Sequence, residues 1–291
     1  MAIRVVSDYI SECLAVNQTA TILTRTGSIQ VELPPPDAIV LRNVRWGSLD
    51  AFPTPAYWQY QAVSRRLSGR PPAYKLGRTL AEELGACLLG GHGIPATVGV
   101  AAYERLRAWG AFTRCPTQGE FEAWLREPMQ VDGRKVRYRF ASQKAKYLAT
   151  AMPTVHRAPE FSSGRQLRDW LMKLRGVGPK TASWVARNWL DANDVAILDI
   201  HIMRVCQTIG LFPRKFSVER NYLELEALFL EFGKAIDVRP SELDAVIWNE
   251  MATSPNAARF LSQHLTDTLQ TPLRGRRKAK ADSQLPLTLT A

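Results

Sequence analysis

The stretch Leu174-Arg175-Gly176-Val177-Gly178-Pro179-Lys180 decides how this chain folds. Its two glycines, one on each side of an apolar residue, permit a tight turn with positive φ, and Pro179 suits the first position of a helix. Apolar residues recur at three- and four-residue spacing on both sides of the turn. They are Leu167, Trp170, Leu171 and Leu174 before it, and Ala182, Val185, Ala186, Trp189 and Leu190 after it. The pattern predicts two amphipathic helices joined by a glycine turn, which is a helix-hairpin-helix unit.

A turn of this kind can bind phosphate. Its backbone N–H groups point outward beside the positive end of a helix dipole, and such a site holds a phosphate without reading nucleic-acid sequence. Gly176, Val177, Gly178 and Lys180 are therefore candidate DNA-phosphate contacts. A plain turn between two helices with a glycine cap explains the same residues, so the hairpin alone leaves both interpretations open.

Two residues near the hairpin are candidates for chemistry. Lys180 lies in the first turn of the second helix, and a neutral lysine amine is a nucleophile. Asp199 follows the apolar residues 196–198 and precedes a new helical pattern, which predicts a helix N-cap. A purely structural interpretation stays open for both, with Asp199 only a cap and Lys180 only a solvated phosphate contact.

The hairpin and the segment after it resemble a known superfamily. The string LRGVGPKTASWVARNWLD, followed by VAILDIH, resembles the helix-hairpin-helix, Gly/Pro-rich-loop, catalytic-Asp (HhH-GPD) superfamily of DNA glycosylases, and most of all its 8-oxoguanine DNA glycosylase/AP lyase branch. The resemblance is strong over residues 165–210 and weaker over residues 82–112 and 142–152. It implies a mainly α, two-lobed HhH-GPD helical glycosylase fold with a small N-terminal β-containing region.

The resemblance also implies an activity. By motif position, Lys180 and Asp199 are the catalytic residues of a bifunctional DNA N-glycosylase/AP lyase, which flips an 8-oxoguanine nucleotide out of duplex DNA, removes the base and nicks the strand through a lysine Schiff base. Two alternatives stay open. One is a glycosylase/lyase for another damaged base or for abasic sites, and the other is a non-enzymatic DNA-binding protein that keeps the hairpin.

Further contacts are expected from residues at family-like positions. The loop residue His92, and Gln143, Lys144 and Lys146 after a stretch of alternating basic and aromatic residues, are candidate DNA wedge or groove contacts. Trp184 is one helical turn after Lys180 and is a candidate for stacking on the extruded base, together with Trp248. Ordinary helix packing is the alternative for Trp184.

Changes in composition predict three regions. Residues 1–72 form an N-terminal α+β region, in which residues 19–24 and 28–33 predict a β-hairpin and residues 42–58 predict a folded loop or the lining of a cleft. The pattern is helical from residue 76 onward, and the resemblance implies that residues 73–268 form the HhH-GPD helical glycosylase domain. Residues 269–291 form a basic tail that we expect to be disordered.

Composition limits the partners and cofactors. A net charge of +11 over 291 residues favours a polyanionic partner, and the resemblance implies that this partner is double-stranded DNA with a damaged base. The four cysteines are dispersed and form no CxxC pair, so we expect no iron–sulfur cluster, no metal bound by side chains and no other cofactor. The resemblance allows a structural Na⁺ or K⁺ ion on the backbone of residues 174–179. We expect a soluble, monomeric protein of the cytoplasm or nucleoid, without contact to a membrane.

Overall fold

The computed structural model describes residues 16–69, 74–91, 93–254, 256–257 and 259–261. Its helices are α1 Pro55–Leu67, α2 Leu80–Leu89, α3 Ala96–Ala108, α4 Ala111–Arg114, α5 Gln118–Arg126, α6 Ala141–Val155, α7 Gly164–Leu171, α8 Pro179–Leu190, α9 Ile200–Thr208, α10 Val218–Ala235 and α11 Pro240–Thr253. Its strands are β1 Gln18–Thr24, β2 Gly27–Leu33, β3 Ile39–Leu41, β4 Val44–Arg45, β5 Met129–Val131 and β6 Arg134–Val136. His92, the predicted tail at residues 269–291 and the predicted boundaries at residues 72 and 268 lie outside the described residues.

The strands form three separate two-stranded antiparallel sheets within the described part of the chain. The predicted N-terminal hairpin is confirmed, since β1 pairs with β2 and Thr24 lies opposite Gly27. Only one side of this hairpin meets the rest of the protein, through the buried Ile22 and Leu33. Together with the helices, these short strands confirm a mainly α fold with a small N-terminal β-containing region.

Residues 42–58, expected to be a folded loop or the lining of a cleft, end in a helix that was not predicted, since α1 begins at Pro55. Thr54 caps α1 by accepting a hydrogen bond from the Tyr57 N–H at 3.1 Å, and Pro55 occupies the first helical position. Trp58 on this helix is fully buried. A Thr-Pro pair followed by an apolar face is a helix start, and the prolines of this segment obscured it in the sequence.

Two apolar cores define the two lobes. The first is built from α2 to α8 and the β5–β6 hairpin. The second combines the N-terminal region, from Leu33 to Ala62, with α9 to α11. The chain passes from one core to the other between Val195 and Ala196, just before Asp199. The candidate catalytic aspartate therefore lies where the two lobes meet.

One further property concerns membranes. Over the described ranges, no helix combines the length and the apolar character needed to cross a bilayer.

Candidate active site

The hairpin between α7 and α8 has one left-handed glycine. Gly176 has φ +84°, and a Cβ at this position would overlap the ring of Tyr147 on α6. Gly178 was expected to share the positive φ, but it has φ −87° and ψ 174°, an extended conformation that any residue adopts. A Cβ at Gly178 would have no heavy atom within 4 Å. Gly176 therefore serves the turn and the packing against α6, whereas Gly178 keeps a surface open.

The free N–H groups of the hairpin lie at the start of α8. The Val177 side chain is buried in the first core, and its N–H donates to the Leu174 carbonyl at 3.1 Å. The N–H groups of Gly178, Lys180 and Thr181 have no acceptor within the described residues. Val177 therefore anchors the hairpin, and the next N–H groups are free to bind an anion.

Asp199 caps α9, as predicted. Its Oδ1 accepts hydrogen bonds from the His201 N–H at 2.8 Å and the Ile202 N–H at 3.0 Å. Its Oδ2 has no hydrogen-bond partner in the part of the chain that is described, and the residue is 9% exposed. One carboxylate oxygen is thus fixed by the helix while the other is available to a ligand.

His201 links the two candidate catalytic residues. Burial lowers the pKa of its imidazole; the Asp199 carboxylate acts in the opposite direction, and the positive charges of Arg204 and Lys180 lower the pKa further. Both Asp199 and Lys180 are therefore near enough to act on the same ring. Lys180 itself is half-buried and makes no ion pair or hydrogen bond with any described residue. Lys180 and Asp199 lie at the N-terminal ends of α8 and α9, and the charges of both act on the His201 imidazole.

The segment before Asp199 is held by side chains that local sequence patterns did not indicate. Three consecutive N–H groups, of Ala196, Ile197 and Leu198, donate to side chains of the second lobe. The acceptors are Glu226 Oε1 at 3.0 Å, Asp244 Oδ2 at 3.4 Å and the Tyr222 hydroxyl at 3.1 Å. These pairs are 24 to 47 residues apart in the chain, so no short-range spacing predicts them.

Burial raises the pKa of two of these acceptors, Asp244 and Glu226. It raises the pKa of the Asp244 carboxyl to about 6, against the opposing effects of Arg187 and the Ile197 N–H, and the Asp199 charge raises it further. It also raises the pKa of Glu226, although the Ala196 N–H, Arg168 and Ser183 all favour its ionised form. Asp244 lies 3.6 Å from the buried Arg187 guanidinium, which stacks on the Tyr74 ring at 4.0 Å from the ring centroid.

The two candidate base-stacking residues have different surroundings. Trp184 is half-buried and packs against the first core, and a Cβ at Gly90 would lie 3.2 Å from its ring. Trp248 is also half-buried, but it belongs to neither core of the described residues. It shares a face of α11 with Asp244, four residues earlier. Trp248 is therefore the less constrained of the two rings.

The predicted DNA contacts on α6 lie beside the hairpin. Gln143 donates to the Tyr147 hydroxyl at 3.0 Å, and Tyr147 packs on Gly176. Burial lowers the pKa of Lys144, whereas Lys146 is exposed. Phe140 occupies the N-cap position of α6 and offers no side-chain cap. The residue type of Ser142 predicts an N-cap from the sequence, but Ser142 is the second residue of the helix instead.

A basic cavity lies at the start of α6. Its volume is about 460 Å³, and its wall includes Arg126, Arg137, Arg139 and Gln143. Arg126 is paired with Glu122, whereas Arg137 and Arg139 make no ion pair with any described residue. The cavity extends the positive surface next to Gln143.

A two-lobed helical fold, with a helix-hairpin-helix unit followed by a capped aspartate at the lobe junction, defines the HhH-GPD class. Within that class, the chain belongs to the 8-oxoguanine DNA glycosylase family, whose model matches residues 77–238. The superfamily and branch indicated by the sequence resemblance are thereby confirmed.

Known relatives agree with this assignment. The chain is 32% identical over 130 residues to the 8-oxoguanine DNA glycosylase/AP lyase of Methanocaldococcus jannaschii. The aligned region covers 42% of this chain and 62% of the relative. It is 32% identical over 118 residues to the protein of the same name from Metallosphaera sedula, covering 38% and 57%. The chain thus spans about 60% of the length of these relatives.

A solved structure supports the fold. The crystal structure of the Methanocaldococcus jannaschii 8-oxoguanine DNA glycosylase is similar with a TM-score of 0.52 and 23% sequence identity. The similarity covers 69% of this chain and 94% of that chain. At this identity, the likeness concerns the fold alone.

Proposed function

We propose that this protein is a DNA glycosylase and AP lyase that removes 8-oxoguanine from duplex DNA. The observation that carries the proposal is the position of Lys180 and Asp199 at the N-terminal ends of α8 and α9, with His201 near enough for both charges to act on it. Membership of the family supports the substrate class. Both relatives described above carry the name 8-oxoguanine DNA glycosylase/AP lyase.

Lys180 is the nucleophile of the proposed reaction. The lone pair of its neutral amine forms a bond to C1′ of the flipped nucleotide, the C1′–N9 bond breaks, and its electron pair leaves with the base, which takes up a proton. Opening of the sugar at O4′ then gives a Schiff base between Nζ and C1′. Loss of a proton from C2′ expels the 3′ phosphate by β-elimination, and the strand is nicked.

Asp199 stabilises the charge that develops during this step. As the glycosidic bond breaks, positive charge grows on the sugar, and a fixed carboxylate lowers the energy of that state. Its Oδ1 is held by two backbone N–H groups, so the carboxylate needs no reorganisation when the charge appears. Its second oxygen is the one that faces the substrate in this proposal.

The hairpin and α6 hold the DNA. The free N–H groups of Gly178, Lys180 and Thr181 bind a backbone phosphate beside the lesion. The carbonyl groups of residues 175–177 accept no hydrogen bond from the described residues, which suits a Na⁺ or K⁺ ion that neutralises phosphate charge there. Gln143, Lys144 and Lys146 contact the duplex next to the flipped nucleotide.

The extruded base requires an aromatic surface. A flipped base is read by stacking and by hydrogen bonds to its edge. Trp184 lies one turn from Lys180 on the same face of α8, and Trp248 presents a ring outside both cores. We assign both rings to the base pocket.

Borohydride trapping tests the function. The wild-type protein, Lys180→Gln and Asp199→Asn are incubated with duplexes that contain 8-oxoguanine opposite cytosine, an abasic site, or no lesion. We expect a covalent adduct on the 8-oxoguanine duplex with wild type, none with Lys180→Gln, and a strongly slowed reaction with Asp199→Asn.

Other outcomes separate the alternatives. An adduct on the abasic duplex alone indicates a lyase that acts on abasic sites, or a glycosylase/lyase for a damaged base other than 8-oxoguanine. Release of 8-oxoguanine without an adduct indicates a glycosylase that uses water in place of Lys180. DNA binding with neither reaction contradicts the enzymatic proposal and leaves a DNA-binding protein.

A further inference from the structure

The three backbone N–H groups before Asp199 are all bound by side chains. Ala196, Ile197 and Leu198 form no backbone hydrogen bond through these groups with any described residue, and the segment belongs to no sheet. Ala196 and Leu198 are fully buried, so water cannot take the place of an absent acceptor. A buried N–H without an acceptor lowers the free energy of unfolding, so each side-chain acceptor stabilises this particular conformation of the segment.

Tyr222 binds the segment at two points. Its hydroxyl donates to the Ala196 carbonyl at 2.8 Å and accepts from the Leu198 N–H at 3.1 Å. One phenol thus makes both hydrogen bonds that a neighbouring strand would otherwise supply. The ring itself is 5% exposed and packs in the second core, so the hydroxyl is held rigidly next to the residue before Asp199.

Glu226 joins the same segment to the helix that carries Lys180. It lies one turn after Tyr222 on α10, and its Oε1 accepts from both the Ala196 N–H at 3.0 Å and the Ser183 hydroxyl at 2.9 Å. Ser183 is three residues after Lys180 on α8. The other carboxylate oxygen of Glu226, Oε2, pairs with the buried Arg168 of α7. A single carboxylate therefore connects the segment of Asp199 with both helices of the hairpin unit.

We propose that Tyr222 and Glu226 are positioning residues that set the geometry between Lys180 and Asp199. This inference rests on the proposed function. The position of Lys180 is fixed through α8, whose Ser183 donates to Glu226. The position of Asp199 is fixed through residues 196–198, which donate to Glu226 and Tyr222 on adjacent turns of α10. A displacement of about 1 Å between reacting groups can lower a rate by roughly 100-fold, so these hydrogen bonds act on the chemical step.

The test compares Tyr222→Phe and Ser183→Ala with a matched control. Each variant removes one hydroxyl and keeps the shape of the side chain. Ser241→Ala is the control, because the Ser241 hydroxyl donates to the Asn193 side chain at 2.8 Å and so joins α11 to the same loop outside residues 196–198. The single-turnover rate of 8-oxoguanine release is measured, together with the amplitude of borohydride trapping and the Kd for a duplex with a tetrahydrofuran abasic analogue.

We expect both Tyr222→Phe and Ser183→Ala to lower the single-turnover rate constant by about 10- to 100-fold, with an unchanged trapping amplitude and an unchanged Kd. Ser241→Ala keeps the wild-type rate constant. A lower amplitude with an unchanged rate constant means that the hydroxyls serve stability alone, and this overturns the inference. An inactive wild-type protein contradicts the proposed function instead.

A measurement on the wild-type protein covers the case in which a variant does not fold. Hydrogen exchange of the Ala196, Ile197 and Leu198 amides is compared with that of the amides in α10. We expect the three amides to be protected to within about tenfold of the helix, because each has a buried acceptor. Rapid exchange at these amides, as in an open loop, overturns the inference without any substitution.

Discussion

The ring of Tyr147 lies where a side chain at Gly176 would be, so the hairpin and α6 meet without a gap. The contact joins the hairpin turn, the proposed phosphate site, to the helix that carries Gln143, whose amide donates to the same tyrosine. Gly176 and Gly178 therefore have different roles in the same hairpin. Replacing each glycine by alanine is expected to affect a different property of the protein.

Gly176→Ala is expected to destabilise the protein. The residue has φ +84°, a conformation that costs a non-glycine residue about 1–3 kcal/mol, and the added methyl group also displaces Tyr147. Urea unfolding measures the loss of stability, and DNA binding weakens with it because the turn moves. A variant as stable as wild type would contradict the packing of Tyr147 on this glycine.

Gly178→Ala is expected to weaken DNA binding without loss of stability. Its backbone is extended and nothing lies within 4 Å of the new methyl group, so the free energy of unfolding changes by less than about 0.5 kcal/mol. The methyl group occupies the space through which a phosphate reaches the start of α8, and we expect the Kd for duplex DNA to rise roughly tenfold. Fluorescence anisotropy measures this value, with Gly119→Ala as a control for binding, because Gly119 is an exposed glycine in the first turn of α5 without a positive φ. Equal effects of the Gly119 and Gly178 substitutions on Kd would exclude the hairpin as the phosphate site.

Asp244→Asn is expected to change how stability depends on pH. Burial raises the pKa of Asp244 in the folded protein to about 6 from an ordinary value of 3.8, with Arg187 opposing and Asp199 adding to the shift. Because the folded pKa is the higher one, the stabilising contribution of this carboxyl is complete below pH 3.8 and is lost as the pH rises through 6. The loss amounts to at most about 3 kcal/mol.

Urea unfolding at pH 4, 5 and 7 measures this effect. The wild-type free energy of unfolding falls relative to that of Asp244→Asn as the pH rises, provided that the two proteins have equal m-values. A difference that stays constant between pH 4 and pH 7 would show that Asp244 titrates alike in the folded and unfolded chains.

The hairpin and the Asp199 cap were predictable because their determinants are local. Glycine at a turn, Pro179 at a helix start and an aspartate before a helix act over a few residues. The start of α6 was predicted wrongly for a tertiary reason. The Tyr138 hydroxyl donates to the Leu89 carbonyl at 2.7 Å, and this anchor lies next to Phe140. The helix begins after these anchored residues, whatever the capping preference of Ser142.

The residues that hold the segment before Asp199 were not predictable from spacing. Tyr222 and Glu226 appear in the sequence as ordinary positions on an amphipathic helix. Their acceptor roles depend on where the two cores meet, which a one-dimensional pattern does not contain. The same reason applies to Arg168, a buried charge whose partner Glu226 is 58 residues away.

Trp248→Ala is expected to impair catalysis with little loss of stability. The ring packs in neither core of the described residues, so its removal leaves no large cavity. Stacking of a base on an aromatic side chain contributes about 1–3 kcal/mol, so we expect kcat/KM for 8-oxoguanine release to fall by roughly 5- to 150-fold. Trp184→Ala is the matched comparison, because Trp184 packs on the first core and beside Gly90 and its loss lowers Tm as well. An unchanged kcat/KM for Trp248→Ala would remove this tryptophan from the base pocket and leave Trp184 as the stacking candidate.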